Sequence, residues 1–232
     1  MRCVSLLAWA IFCGAISAAP VPKEKTSSLE KLYGEPEDPA KMCEYRLDGR
    51  DLVVRVSDKL DASAAGFKNA PRTKLSVNGD FEAMVSVKYF STVDPLGDKA
   101  NGHIGGGIAV WESEEVFMLV NRHHWPSPGA KNGSNWSGGF DIHGVGGGTV
   151  TSHGATCEEV PPEKATLIKL KRVKDTFITS ESRDDGKTWK EMTRTEHSFK
   201  KELNLGLLVY NVSHQKCTVI FSNFEVKSPN SK

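Results

Sequence analysis

The stretch "DFEAMVSVKYF", Asp80–Phe90, sets Phe81, Ala83, Val85, Val87 and Tyr89 on one side of an extended chain, with Glu82, Met84, Ser86 and Lys88 between them. Successive side chains of a strand project to opposite faces, so a period of two predicts a strand with one face buried. The stretch "ATLIKLKRV", residues 165–173, alternates in the same way, with Ile168, Leu170 and Arg172 set against Leu167, Lys169 and Lys171. Similar runs occur at "DLVVRVS", "GGGIAVW", "EVFMLVN", "TFITSES", "LGLLVYN" and "TVIFSNFEV", separated by turn signals such as Asn78-Gly79 and Asp185-Gly186. No window holds a 3.6-residue period long enough for a core helix. Many short strands with almost no helix predict an all-β sandwich or barrel, and the lack of a fixed repeat argues against a propeller.

The first residues carry a different signal. Met1-Arg2 precede "CVSLLAWAIFCGAISAA", an apolar run that ends in small residues and is followed by Pro20. This is the pattern of a secretory signal peptide, and the run is shorter than the ~20 residues that span a bilayer. Cuts after Ser17, Ala18 and Ala19 all satisfy the small-residue rule, and Phe12 argues against a lipid anchor on Cys13. Residues 1–19 are therefore read as the signal, which makes the mature protein extracellular, or periplasmic in a bacterium. Residues 20–42, "PVPKEKTSSLEKLYGEPEDPAKM", hold four prolines and many charges but few large apolar groups. That composition predicts a flexible leader with one helical turn around Leu29 to Tyr33. The sandwich domain is expected over residues 43–228, with 229–232 as a tail.

Lys and Arg total 30 against 29 Asp and Glu, and the charges are interspersed. The basic stripe of a nucleic-acid-binding protein is absent, and no later segment is long and apolar enough for membrane insertion. Cys43, Cys157 and Cys217 remain after the signal. Three cysteines allow one internal disulfide and strand one thiol, and none has the C-x-x-C spacing of a structural zinc site. Asn132, Asn135 and Asn211 each begin an N-x-S sequence, the acceptor for N-glycosylation in a eukaryotic secretory route.

The segment "SRDDGKTW", Ser182 to Trp189, fits S-x-D-x-G-x-T-W, a pattern that recurs in the propeller blades of sialidases. In it the aspartate accepts hydrogen bonds inside the turn, the glycine takes positive φ and the tryptophan packs under the hairpin. These roles hold a turn, and a single copy in a chain too short for six blades predicts a β-hairpin without sialidase chemistry.

Three stretches together resemble a known superfamily. "AGFKNAPRTKLSVNGDFEAMVSV" leads an N-A-P-R segment into a long strand, "ESRDDGKTW" forms the hairpin, and "LNLGLLVYN" with "TVIFSNFEV" closes the domain. Over residues 45–227 the chain resembles the concanavalin-A-like lectin and glucanase superfamily. Within it the chain is similar to small secreted domains described as regulation-of-enolase-like, and to the C-terminal domain of family 43 β-xylosidases. The resemblance implies a two-sheet antiparallel jelly-roll sandwich whose concave sheet and end loops carry any ligand site. First and last strands of that fold tend to be neighbours, which implies a Cys43–Cys217 disulfide with Cys157 left on a loop. Retaining glycosidases of the superfamily hold two carboxylates on one strand in an E-x-D-x-x-E arrangement. No such arrangement occurs here. Glu112, Glu114 and Glu115 in "WESEEVF" read as solvated loop charges.

Histidine is unevenly distributed: His103, His123, His124, His143 and His153 share the middle of the chain with Trp111, Trp125 and Trp136. Such a segment suits the aromatic and imidazole wall of a cleft. His123 and His124 are adjacent and point to opposite faces of a strand, so they do not form one metal site. The Asp94 and Asp98 loop lacks the carboxylates of a calcium cage. The runs Gly105–Gly107 and Gly146–Gly148 lack the lysine and the helix of a phosphate loop. No metal or cofactor is expected. The ligand site is placed in the segment from Asn121 to His143, "NRHHWPSPGAKNGSNWSGGFDIH", read as a long loop after "EVFMLVN". Trp125 and Trp136 would stack on the apolar faces of sugars, and Arg122, His124, Asp141 and His143 would bond their hydroxyls. The alternative is that both tryptophans form a hydrophobic lid. The expectation is a secreted non-catalytic module for extracellular glycan. A glycoside hydrolase or lyase on the same fold, and a structural surface protein without small ligand, are the alternatives.

Overall fold

The computed structural model describes residues 23–57, 67–91, 104–125, 135–143, 150–156, 164–211 and 216–228, with the side chains at 23–27, 89–91, 123–125, 135–143, 150–156 and 210 outside the description. Helix α1 (Lys23–Tyr33) is followed by β1 (Glu35–Glu37), β2 (Cys43–Asp48), β3 (Asp51–Val56), β4 (Arg72–Asn78), β5 (Phe81–Ser91), β6 (Ile104–Trp111) and β7 (Phe117–Trp125). The later strands are β8 (Asn135–His143), β9 (Val150–Thr156), β10 (Thr166–Val173), β11 (Thr176–Ser182), β12 (Lys190–Glu196), β13 (Glu202–Asn211) and β14 (Cys217–Lys227). The first sheet runs β1-β4-β13-β6-β7-β8-β9 and the second β12-β11-β10-β5-β14-β3-β2. Neighbouring strands pair antiparallel, giving the two-sheet jelly-roll sandwich that the superfamily resemblance implies.

The alternating residues of β5 and β10 explain the packing. Phe81, Ala83, Val85, Val87, Ile168 and Leu170 are buried together with Val219 and Phe221 of β14. Facing them from the first sheet are Ile108, Val110, Met118, Val120 and, on β13, Leu203, Leu205 and Leu207. Each large side chain removed from water in this layer contributes about 1.5–3 kcal/mol before entropy is counted. The side chain of Tyr89 lies outside the described residues.

Where composition predicts a flexible leader, the structure has α1 and β1 packed on the sandwich. Leu29 and Tyr33, one helical turn apart, are 6% and 2% exposed and belong to the core. The Tyr33 hydroxyl donates to the carbonyls of Phe221, 3.1 Å, and Arg50, 2.5 Å, and its ring stacks on Phe224. Gly34, at φ 89°, ends the helix and turns the chain into β1, which pairs with β4. From the other sheet Tyr45 donates to the carbonyls of Glu37 and Arg72. Two anchors suffice because they fill the seam where the sheets part.

The expected Cys43–Cys217 disulfide is absent. Cys43 of β2 and Cys217 of β14 both lie opposite Val56, on the two sides of β3, and both are free. Two strand spacings separate them by about 9–10 Å, beyond the Cα separation a disulfide spans. First and last strands are not neighbours here, because β3 lies between them. Burial pushes the Cys217 thiol up to about 12 and raises that of Cys43 as well. Cys157 lies outside the described residues.

Candidate functional site

The hairpin between β11 and β12 is the S-x-D-x-G-x-T-W segment, and its polar groups bind one another. Asp184 accepts from the Ser182 hydroxyl at 2.8 Å, from the Thr188 N–H at 2.9 Å and from the Thr188 hydroxyl at 2.6 Å. The Gly186 N–H donates to Ser182 Oγ, and Asp185 and Gly186 both take positive φ. Those bonds, the Thr188 hydroxyl first, hold the Asp184 carboxyl down at about 2. A carboxylate held below its unfolded value of about 3.9 stabilises the fold above that pH, and the contribution disappears as pH falls through about 2. The melting-temperature gap between the wild type and Asp184→Ala is therefore expected to narrow between pH 5 and pH 2. A gap of constant size across that range would mean that the ionised form contributes nothing.

The same hairpin walls a groove on the outer face of the second sheet. It encloses about 600 Å³ above β5, β10 and β14, a volume typical of ligand clefts. The register lays out its floor in rows: Leu167 lies beside Ser86, Lys169 and Glu225 flank Met84, and Lys227 lies beside Glu82. Trp189 and Asp185 form the wall, and the Lys169 ammonium sits 3.9 Å from the Trp189 ring centroid. A bulge in β14 between Ser222 and Glu225 turns Asn223, at φ 54°, into the groove lining. The neighbouring Phe224 stacks on Tyr33. Bulges re-aim side chains in this way. In the sequence these positions read only as the solvent side of alternating strands.

The sequence-predicted site divides. The Arg122 side chain is 1% exposed and donates to the carbonyl of Val87 on the opposite sheet and to that of Lys164. It ties the two sheets together inside the sandwich, so its assignment to ligand hydroxyls is corrected. Trp125 and Trp136 belong to β7 and β8 rather than to a loop, and His124 pairs opposite Trp136 and Trp125 opposite Asn135. Asp141 pairs opposite Leu119 and His143 opposite Phe117. The side chains of His124, Trp125, Trp136, Asp141 and His143 lie outside the described residues. Of the glycosylation acceptors, Asn132 and the side chain of Asn135 lie outside them too. Asn211 is buried and donates to the Ser57 carbonyl, which corrects its reading as a glycan carrier in the folded chain. No cluster of three His, Cys, Asp or Glu groups suited to a metal ion occurs among the described residues. No helix among them is long and apolar enough to cross a membrane.

No protein-family model matches the chain, and no curated protein does. Solved structures do. A functionally unknown protein from Saccharomyces cerevisiae matches with a TM-score of 0.63 at 13% identity, over 84% of this chain and 95% of that one. The GH43 BlXynB protein from Bacillus licheniformis matches with 0.56 at 14% identity, over 79% of this chain and 34% of that one, so the likeness spans about a third of its length. The exoplasmic/lumenal domain of VIP36, in a Ca2+/Man-bound form, matches with 0.51 at 10% identity, over 82% of this chain and 83% of that one. The chain has the concanavalin-A-like sandwich fold. At these identities the likeness is one of fold.

In this concanavalin-A-like sandwich part of the first sheet's outer face is closed by the chain itself. Phe67 stacks on Phe117 at 4.3 Å and meets Trp111 edge-on at 5.3 Å. Arg72 lies over both Phe67 and Trp111, donates to the Phe67 carbonyl and pairs with Glu37 at 2.8 Å. Trp111 is therefore packed under Phe67, not part of a cleft wall. Glu112 accepts from the Lys200 N–H, Glu114 lies 3.6 Å from Arg72 and Glu115 accepts from the Ser113 hydroxyl at 2.8 Å, so all three loop carboxylates have partners.

Proposed function

We propose that the chain is a secreted, non-catalytic binding module for extracellular carbohydrate. Its ligand is held at the end of the β7–β8 pair where His124, Trp125 and Trp136 come together, while Asp141 and His143, opposite Leu119 and Phe117, stand at the other end of the same two strands. The observation that carries this reading is the β7–β8 register, which sets His124 opposite Trp136 and Trp125 opposite Asn135. Aromatic and imidazole residues that are a dozen positions apart in the chain thereby gather at one end of a hairpin. Sugars present apolar C–H faces to aromatic rings and hydroxyl rims to polar groups, the chemistry these residue types supply. Export rests on the apolar run of residues 3–19, which lies outside the described residues.

A glycan array probed with purified residues 20–232, with product release followed in parallel, tests the proposal. Binding of neutral glycans without product is the expected result, and product release would establish an enzyme instead. Replacing Trp125 and Trp136 together with alanine is expected to remove array binding. If binding survives while stability falls by several kcal/mol, the two rings cap the core and the site is elsewhere.

A further inference from the structure

We propose that the groove on the outer face of the second sheet is a second carbohydrate subsite, selective for a neutral oligosaccharide. This rests on the reading of the chain as a carbohydrate-binding module but uses a different sheet and different residues. Three observations carry it together.

The first is the state of its charges. Glu225 pairs with Lys227 at 3.1 Å and Glu82 lies 4.0 Å from Lys169, so the floor carries ionic groups already compensated within it. A phosphate or a sulfated glycan needs an excess of cations, and this groove has none to offer. The second is its polarity. Paired carboxylates and ammonium groups surround Met84 and Leu167, an inhospitable floor for a lipid chain or an apolar peptide. A neutral sugar fits both conditions. Each hydroxyl donates to a carboxylate while accepting from an ammonium, and charged groups make the stronger hydrogen bonds. The third is Asn223. The bulge sets an amide, which both donates and accepts, beside Glu225 in the groove lining, and asparagine is among the few side chains besides glycine that sit comfortably at a φ of 54°.

The test uses residues 20–232 labelled with 15N, titrated with xylohexaose, mannohexaose and a heparin hexasaccharide as probes. Shifts of the Lys169, Met84 and Glu225 amides with a neutral hexasaccharide, retained in the Trp125→Ala/Trp136→Ala chain, are expected. Asn223→Gly, which keeps the left-handed backbone, and Glu225→Gln are each expected to weaken that binding about tenfold at unchanged melting temperature. If neutral binding disappears with the two tryptophans and ignores both groove substitutions, the groove proposal fails and the module reading stands. If neither neutral hexasaccharide shifts any amide of the wild type, both fail. Groove shifts produced by heparin alone overturn the assignment to a neutral ligand.

Discussion

Gly206→Ala is expected to lower the stability of the fold by about 3–5 kcal/mol, near the top of the range for a point substitution. A Cβ at Gly206 would sit 1.7 Å from the Thr73 carbonyl oxygen and 3.2 Å from Thr73 Oγ1. The obstacle is backbone, and it is held in place. Leu207 donates to Thr73 Oγ1 and Val209 to the Pro71 carbonyl, both at 3.0 Å, so β4 cannot retreat without breaking the pairing that carries β1. A chain of this size loses about 2–4 °C per kcal/mol, so the melting temperature should fall by about 10 °C. Gly49→Ala is the control. Its φ of 62° is strained for alanine, but nothing lies within 4 Å of the added carbon, and the cost should be about 1 kcal/mol. Equal losses for the two variants would show that the close approach at Gly206 is absent.

Tyr33→Ala should cost about 3–5 kcal/mol, the loss typical of removing a buried aromatic ring. The side chain is 2% exposed, stacks on Phe224 and bonds two carbonyls. Tyr33→Phe keeps the ring and should cost about 1 kcal/mol. Chemical denaturation of the two variants measures both losses. Wild-type midpoints for Tyr33→Ala would restore the picture of a flexible leader, since a loose segment contributes nothing to the folded state.

That second test concerns the part of the fold the sequence conveyed least. The strands β5 and β10 are legible because each turns one face to the core and one to solvent, so polarity records the pleat. β8, "NWSGGFDIH", falls in the segment read as a loop, because its extended form comes from pairing along β7 rather than from propensity, and β9, "VTSHGAT", which pairs on β8, carries no apolar alternation either. β12, "KEMTRTE", is a polar edge strand with little apolar alternation to show. Among the described side chains of α1, Leu29 and Tyr33 alone reach the core, too few to register as an amphipathic period. The site is less legible still. Arg122 is indistinguishable in sequence from a solvent-facing arginine until Val87 and Lys164 supply its partners from distant segments. The groove joins β5, β10, β14 and a hairpin turn, which only the folded register brings side by side.

The short strand β1 has a further consequence. It is three residues long, Glu35-Pro36-Glu37, and it covers the flank of β4. An uncovered β4 would present a row of free amides and carbonyls, a template on which another polypeptide adds itself. β1 replaces that row with an outer rim where proline lacks an N–H and the exposed Glu35 carboxylate repels a like-charged arrival, while Glu37 is paired with Arg72 and Lys74. Proteolytic loss of the first thirty-seven residues would thus do more than loosen the fold. It would turn a self-limited sheet into one that can grow, so trimming at the amino terminus should appear first as concentration-dependent aggregation.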